Sequence, residues 1–225
     1  KLMADPAFIS SAPAVSPPAL STAAFRLLND SVTVQGINII PSASVAYGIL
    51  SSSADITVSS VSVFSGVNIS AAGISLSSRS VVSNSTVTVM AAYGLQLTGD
   101  ASLIVQSAIA NDAAGADALT LYGASYNRVS GSSIYNPSGR SVYISSGSHH
   151  NVLSQNRITS YANSPQMFAA LYIRNSSSNT VTGADISNLP GVAAYLGLGA
   201  DHNAIRQTTM TSLAAGYQAL RISNN

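Results

Sequence analysis

A pair of apolar residues five positions apart recurs along the chain: Val34/Ile39, Val58/Val63, Val82/Val87, Ile104/Ile109, Val129/Ile134, Leu153/Ile158, Val181/Ile186 and Ile205/Met210. Successive first members stand 24, 24, 22, 25, 24, 28 and 24 residues apart. A sustained interval of about 20 to 50 residues marks a stacked architecture, in which one unit buries its apolar face only against the next. Units also open with a pair two apart, seen as Leu95/Leu97, Leu119/Leu121, Val142/Ile144, Leu171/Ile173, Leu196/Leu198 and Leu220/Ile222. A period of two belongs to strands. No apolar face recurs at helical spacing within a unit, so the repeat predicts an all-β solenoid with three short strands per coil.

Two places before the first apolar marker, the last four complete units carry Asn127, Asn151, Asn179 and Asn203. A shift of two keeps a side chain on the same, inward face. A carboxamide both donates and accepts, so asparagines one coil apart are expected to bond to each other as a structural ladder. Earlier units have Val32, Ile56, Ser80 and Ser102 there, which confines the asparagine ladder to the C-terminal half.

The phrases "SYNRVSGSSIYN", "HHNVLSQNRITS", "SSNTVTGADISN" and "DHNAIRQTTMTS" resemble the repeats of the pectin-lyase-like superfamily, in their NosD-like form. The resemblance covers about Ser31 to Asn225. It implies a single-stranded right-handed parallel β-helix of about eight to nine coils of about 24 residues, and an extracellular or cell-surface location. It does not select an activity, because the same coils occur in lyases, hydrolases, epimerases, adhesins and proteins without a known reaction.

Residues 1–30 precede this repeat. Ser16 as N-cap, Pro17 at the first helical position, and Leu20, Ala24 and Leu27 on one face predict a capping helix at 17–28 over the open solenoid end. The alternative is an irregular coil in which Phe25 and Leu27 alternate as a strand. The opening "KLMADP" reads as an artificial junction, so a native signal peptide is expected to be missing from the chain. "YQALRISNN" begins a ninth unit, so the solenoid over 31–225 is expected to continue or to lie uncapped, with open ends suited to end-to-end self-association.

Composition narrows the partners. Hydrophobic residues make up 46% of the 225, enough for one continuous core. Charged residues make up 8%, with no Glu and Lys1 as the single lysine, which leaves solubility to Ser, Thr, Asn and Gln. A net charge of +1 with scattered arginines lacks the basic stripe that nucleic acid requires. No apolar run approaches the roughly 18 residues of a membrane span. The absence of Cys excludes disulfides and thiolate metal sites.

The reactive residues are few. Glycoside hydrolysis ordinarily uses two carboxylates about 5 to 9.5 Å apart, and no such pair is evident. Asp185 and Arg157 read as an exposed ladder pair. Asn111, Asp112 and Asp117 share the turn "NDAAGAD", near Asp100 of the same coil, but lack the ligand density of a calcium loop. His150 and His202 occupy one turn position two coils, roughly 10 Å, apart, beside His149 and Asp201, and read as solvated turn residues. The sequons at Asn68 and Asn84 read as chance products of a Ser- and Asn-rich chain. No metal and no cofactor is expected.

One surface stands out. The outward positions of strand 1 give a row of Thr120, Tyr143, Tyr172, Gly197 and Arg221, and a second of Tyr122, Ser145, Arg174 and Gly199. Tyr122, Tyr143, Tyr172 and Arg174 are the predicted carbohydrate-binding residues, with the insertion "SYANSPQMF" as a wall. The expected function is a non-catalytic, rigid or adhesive module of a secreted or surface protein that contacts polysaccharide or surface glycan. The alternative is a polysaccharide lyase or glycoside hydrolase.

Overall fold

The computed structural model describes residues 2–3, 14–163 and 168–223, and every regular element among them is a strand. Like strands of successive coils pair in parallel, giving three nine-stranded sheets. The first sheet runs from Leu2–Met3 to Ala204–Arg206, the second from Ala14–Val15 to Thr209–Thr211, and the third from Ala23–Leu27 to Leu220–Ile222. The apolar markers are the register itself: Val58, Val82, Ile104 and Val129 are consecutive partners in the first sheet. Val63, Val87, Ile109 and Ile134 are consecutive partners in the second. All eight are buried, so an apolar column from each of these two sheets faces the axis of the solenoid, where the third sheet adds its own inward residues such as Leu119 and Leu121.

Two of the three corners of each coil are tight bends. Leading into the first sheet, Ser31, Asp55, Arg79, Ala101, Tyr126, His150, Ser178 and His202 all have φ between 54° and 60°. Between the first and second sheets, Gly36, Ser60, Asn84, Gln106, Gly131, Gln155, Gly183 and Gln207 have φ between 48° and 65°. The left-handed region costs a residue with a Cβ roughly 1–2 kcal/mol. The bend nevertheless leaves the residue's own N–H in the inter-coil ladder, as in Tyr126 N–H to the His149 carbonyl at 3.0 Å and Gln155 N–H to the Thr182 carbonyl at 3.0 Å.

Behind each bend runs a column of side-chain acceptors. The Oδ1 of Asn151 accepts from Asn127 Nδ2 at 3.1 Å, that of Asn179 from Asn151 Nδ2 at 2.9 Å, and that of Asn203 from Asn179 Nδ2 at 3.0 Å. Each also accepts the backbone N–H of the asparagine above. The column extends into the N-terminal half with shorter side chains: Asn127 Oδ1 accepts from Ser102 N at 2.8 Å, and Ser102 Oγ from Ser80 N at 3.0 Å. A second column serves the other bend, where the backbone N–H groups of Val61, Ser85, Ser107 and Ser132 donate to Ser85, Ser107, Ser132 and Asn156 side chains respectively. Serine is common throughout the chain, which hid this second column in the sequence.

The N-terminal expectation needs correction. No helix forms over 17–28: Ala23–Leu27 is a strand of the third sheet, paired with the strand Val45–Ser51 through Phe25↔Ile49 and its neighbours. Phe25 and Leu27 pack on the core, and Leu20 is exposed with a φ of 64°. A helix of three turns carries a costly nucleus in isolation, whereas these residues gain ladder hydrogen bonds from a coil already formed. The solenoid therefore begins before residue 31.

Candidate functional site

The outer face of the third sheet combines the aromatic, cationic and acidic groups. Its inward positions include Leu119/Leu121, Val142/Ile144 and Leu171/Ile173, and the residues between them project outward. The register stacks Gln96, Thr120, Tyr143, Tyr172, Tyr195 and Arg221 in one column. Coil spacing of about 4.8 Å is also the distance of offset ring stacking. Tyr143 and Tyr172 accordingly stand 5.4 Å apart at 38°, and Tyr172 and Tyr195 4.8 Å apart at 21°. The Arg140 guanidinium lies 4.0 Å from the Tyr143 ring centre and that of Arg221 5.7 Å from the Tyr195 ring centre, so cations flank both ends of the aromatic column.

Tyr195, and not Gly197, follows Tyr172 in this row, and Gly197, not Gly199, follows Arg174 in the next. The reason is that Leu198 is not an inward residue: the strand is Ala194–Leu196, and Leu198 lies in the turn beyond it, 42% exposed. Gly199, at a φ of 66°, belongs to that turn. Gly197 lies against the Tyr172 ring, where a Cβ would come within 3.0 Å of Cε2, so the glycine makes room for the ring.

Tyr122 is 56% exposed and sits in the neighbouring column opposite Ser145. Burial pushes the Tyr172 phenol above its usual pKa, and the Arg174 charge partly offsets this. Tyr195 is only 8% exposed, packed with Ala169, Val192, Tyr172 and Tyr217. Tyr217 Oη donates to Asn163 Oδ1 at 3.2 Å, so a later loop is tied to the flank of the insertion and closes the C-terminal end of the row. The centre of the predicted wall, 164–167, lies outside the described residues.

A second column stands two residues before the inward positions, at Tyr93, Asp117 and Arg140. Arg140 Nε donates to Asp117 Oδ1 at 2.6 Å, and Thr120 Oγ1 donates to Asp117 Oδ2 at 2.9 Å. Burial raises the pKa of the Asp117 carboxyl, against the pull of the Arg140 charge and of both hydrogen bonds. Asp117 is the only buried carboxylate among the described residues. Asp112 and Asp100 have separate partners: Asp112 Oδ1 accepts from Ser138 Oγ at 2.7 Å and Asp100 Oδ1 from Ser125 N at 2.6 Å. The Asp117–Arg140 pair was open to discovery in the sequence, because each residue stands two places before its strand's first inward residue, Leu119 or Val142.

Beside this pair the face opens into a cleft of about 480 Å³ between Tyr47 and Tyr93, floored by Ala92 and Ala116 and edged by Gln96. That volume falls within the range of small-molecule sites. Aromatic rings, guanidinium groups and one protonatable carboxyl thus lie along one side of the solenoid. Among the described residues, no group of three or more His, Cys, Asp or Glu is placed to hold a metal ion. Arg157 and Asp185 are register partners on the second sheet, away from this face.

No curated protein and no solved structure matches the chain. The family model for the right-handed β-helix region matches residues 65–225, which span the tyrosine column, the Asp117–Arg140 pair and the asparagine ladder, and the chain belongs to that family.

Proposed function

We propose that the protein is a non-catalytic solenoid module of a secreted or cell-surface protein that binds glycan chains along the outer face of the third sheet. The observation that carries this reading is the column Tyr143, Tyr172 and Tyr195, three rings at coil spacing with a guanidinium at each end. Tyr143 and Tyr172 are partly exposed and offer ring edges and phenol groups together, which suits the mixed apolar and hydroxyl surface of a pyranose, while Tyr195, 8% exposed, backs the column. Tyr143 and Tyr172 are half-buried in a rigid sheet, so little side-chain freedom is lost on binding. On a glycan array, wild type is expected to give signals that fall at least tenfold in Tyr143→Ala/Tyr172→Ala. Equal signals from the two proteins rule the reading out.

A second reading, a polysaccharide lyase or glycoside hydrolase, draws on Asp117, whose buried, proton-favouring carboxyl borders the same face. It predicts reducing ends or unsaturated products from a panel of acidic and neutral polysaccharides, lost in Asp117→Asn; a silent panel removes it. End-to-end self-association is a separate proposal. Among the described residues, the strands Ala204–Arg206, Thr209–Thr211 and Leu220–Ile222 pair on one side, and a further coil of either the same chain or another copy would extend them. One elution volume across a hundredfold concentration range would end it.

A further inference from the structure

The corner between the third and first sheets holds a second constellation, away from the tyrosine column. His149 and His150 face each other with their Nδ1 atoms 2.9 Å apart and their ring planes at 89°. Tyr126, in the coil above, holds both: its ring stacks on His150 at 5.1 Å and 15°, and meets His149 edge-on at 5.3 Å. The backbone beneath is fixed at several points. His149 N donates to Ser125 Oγ at 3.1 Å, Tyr126 N donates to the His149 carbonyl at 3.0 Å, and Asn151 is held by the ladder. Adjacent residues in a strand point to opposite sides; the left-handed φ of 56° at His150 turns its ring back towards that of His149.

We propose that His149 and His150 form a two-nitrogen site for a divalent transition-metal ion of the Cu²⁺ or Ni²⁺ class. Imidazole nitrogens bind such ions at about 2.0–2.1 Å, and two of them 2.9 Å apart subtend about 90° at the metal. Square-planar and octahedral coordination use that angle; a tetrahedral zinc site would need the nitrogens roughly 0.4 Å further apart. Cu²⁺ also heads the affinity order for nitrogen donors. Without metal, one ring donates its Nδ1 proton to the other. On binding, that proton passes through solvent to Nε2 of its own ring, both Nδ1 lone pairs turn to the metal, and the charge of the two rings is unchanged. His149 is half-buried and His150 exposed, so water or a donor from a bound molecule completes the coordination.

The test is a titration of the full chain with Cu²⁺, read by electron paramagnetic resonance and by quenching of tyrosine fluorescence. Wild type is expected to bind one ion with the hyperfine pattern of two nitrogens. His149→Asn and His150→Asn should each weaken binding at least tenfold and reduce the pattern to one nitrogen or none. Asn is chosen because it tolerates the left-handed bend at position 150. His202→Asn, which changes the histidine at the same corner two coils away, should match wild type. The proposal is overturned if wild type binds no Cu²⁺, if both histidine-pair variants keep wild-type affinity and nitrogen count, or if His202→Asn loses as much as they do.

Discussion

Asn151 shows how much a single interior carboxamide carries. Its Oδ1 takes the N–H and the Nδ2 of Asn127, while its own Nδ2 gives to the Ala124 carbonyl at 2.8 Å and to Asn179 Oδ1 at 2.9 Å. Leucine at this position would fill similar space and leave two or more buried polar groups without partners, each costing about 1–3 kcal/mol. Asn151→Leu is therefore expected to lose roughly 2–6 kcal/mol in urea denaturation followed by circular dichroism. A loss under about 1 kcal/mol would show that the ladder is dispensable. Asp117 gives a prediction of different form. Its pKa is raised in the folded protein, so its stabilising contribution is complete below the unfolded value of 3.8 and fades as pH rises through the folded value. The stability of wild type relative to Asp117→Asn should fall across that window and level off above it; a difference independent of pH contradicts the assignment. The asparagines were legible in the sequence because each repeats at one place in its unit. Asp117 and Arg140 share one place, two residues before Leu119 and Val142, and so were open to the same reading; the Thr120 hydrogen bond to Asp117 was not, because it depends on how the chain turns into the strand.

The elements of this fold are set by their corners more than by strand propensity. Gln155 bends the chain at a φ of 55° with its N–H bound to the Thr182 carbonyl, and its side chain plays no part in the bend. A β-branched residue tolerates that conformation poorly. Gln155→Val is expected to lower stability by about 1–2 kcal/mol, while Gln155→Gly stays within about 0.5 kcal/mol of wild type, as strain relief offsets the added freedom of the unfolded chain. Equal losses in thermal melts of the two variants would refute the bend argument. In the sheets themselves, Ile134→Ala is expected to cost about 2–5 kcal/mol, because Ile109 and Ile158 hold the levels on either side and prevent collapse. The strand at 23–27 was hard to separate from a helix in the sequence, because Leu20, Ala24 and Leu27 fall at helical spacing while Phe25 and Leu27 alternate. Pairing with the strand at 45–51 decided the outcome. Tyr195 escaped for a similar reason: two leucines at 196 and 198 look like an inward pair until the neighbouring strand sets the register.

At the scale of the whole molecule, the sheets of each coil pair only with the coils above and below, and the Tyr217–Asn163 bond is a loop contact that reaches one coil further, so stability varies along the axis. Core residues from 119 to 158 are fully buried, whereas Ile205, Met210 and Leu220 are only partly covered. Amide hydrogen exchange is expected to be slowest in the central coils and fastest in the coil at 204–222; uniform protection would show that the solenoid opens as one unit. The corner joining the second sheet to the third differs from the other two. Among the described residues its left-handed positions are scattered, at Leu20 and Gly216, and do not recur from coil to coil, and it holds both the loop around Asp117 and the insertion beside Tyr195. New length can therefore be spliced in at that edge while the triangular cross-section stays intact. Any graft there would overhang the ring-bearing side, so the relief of that face can be rewritten along one seam of the rod while its packing stays undisturbed.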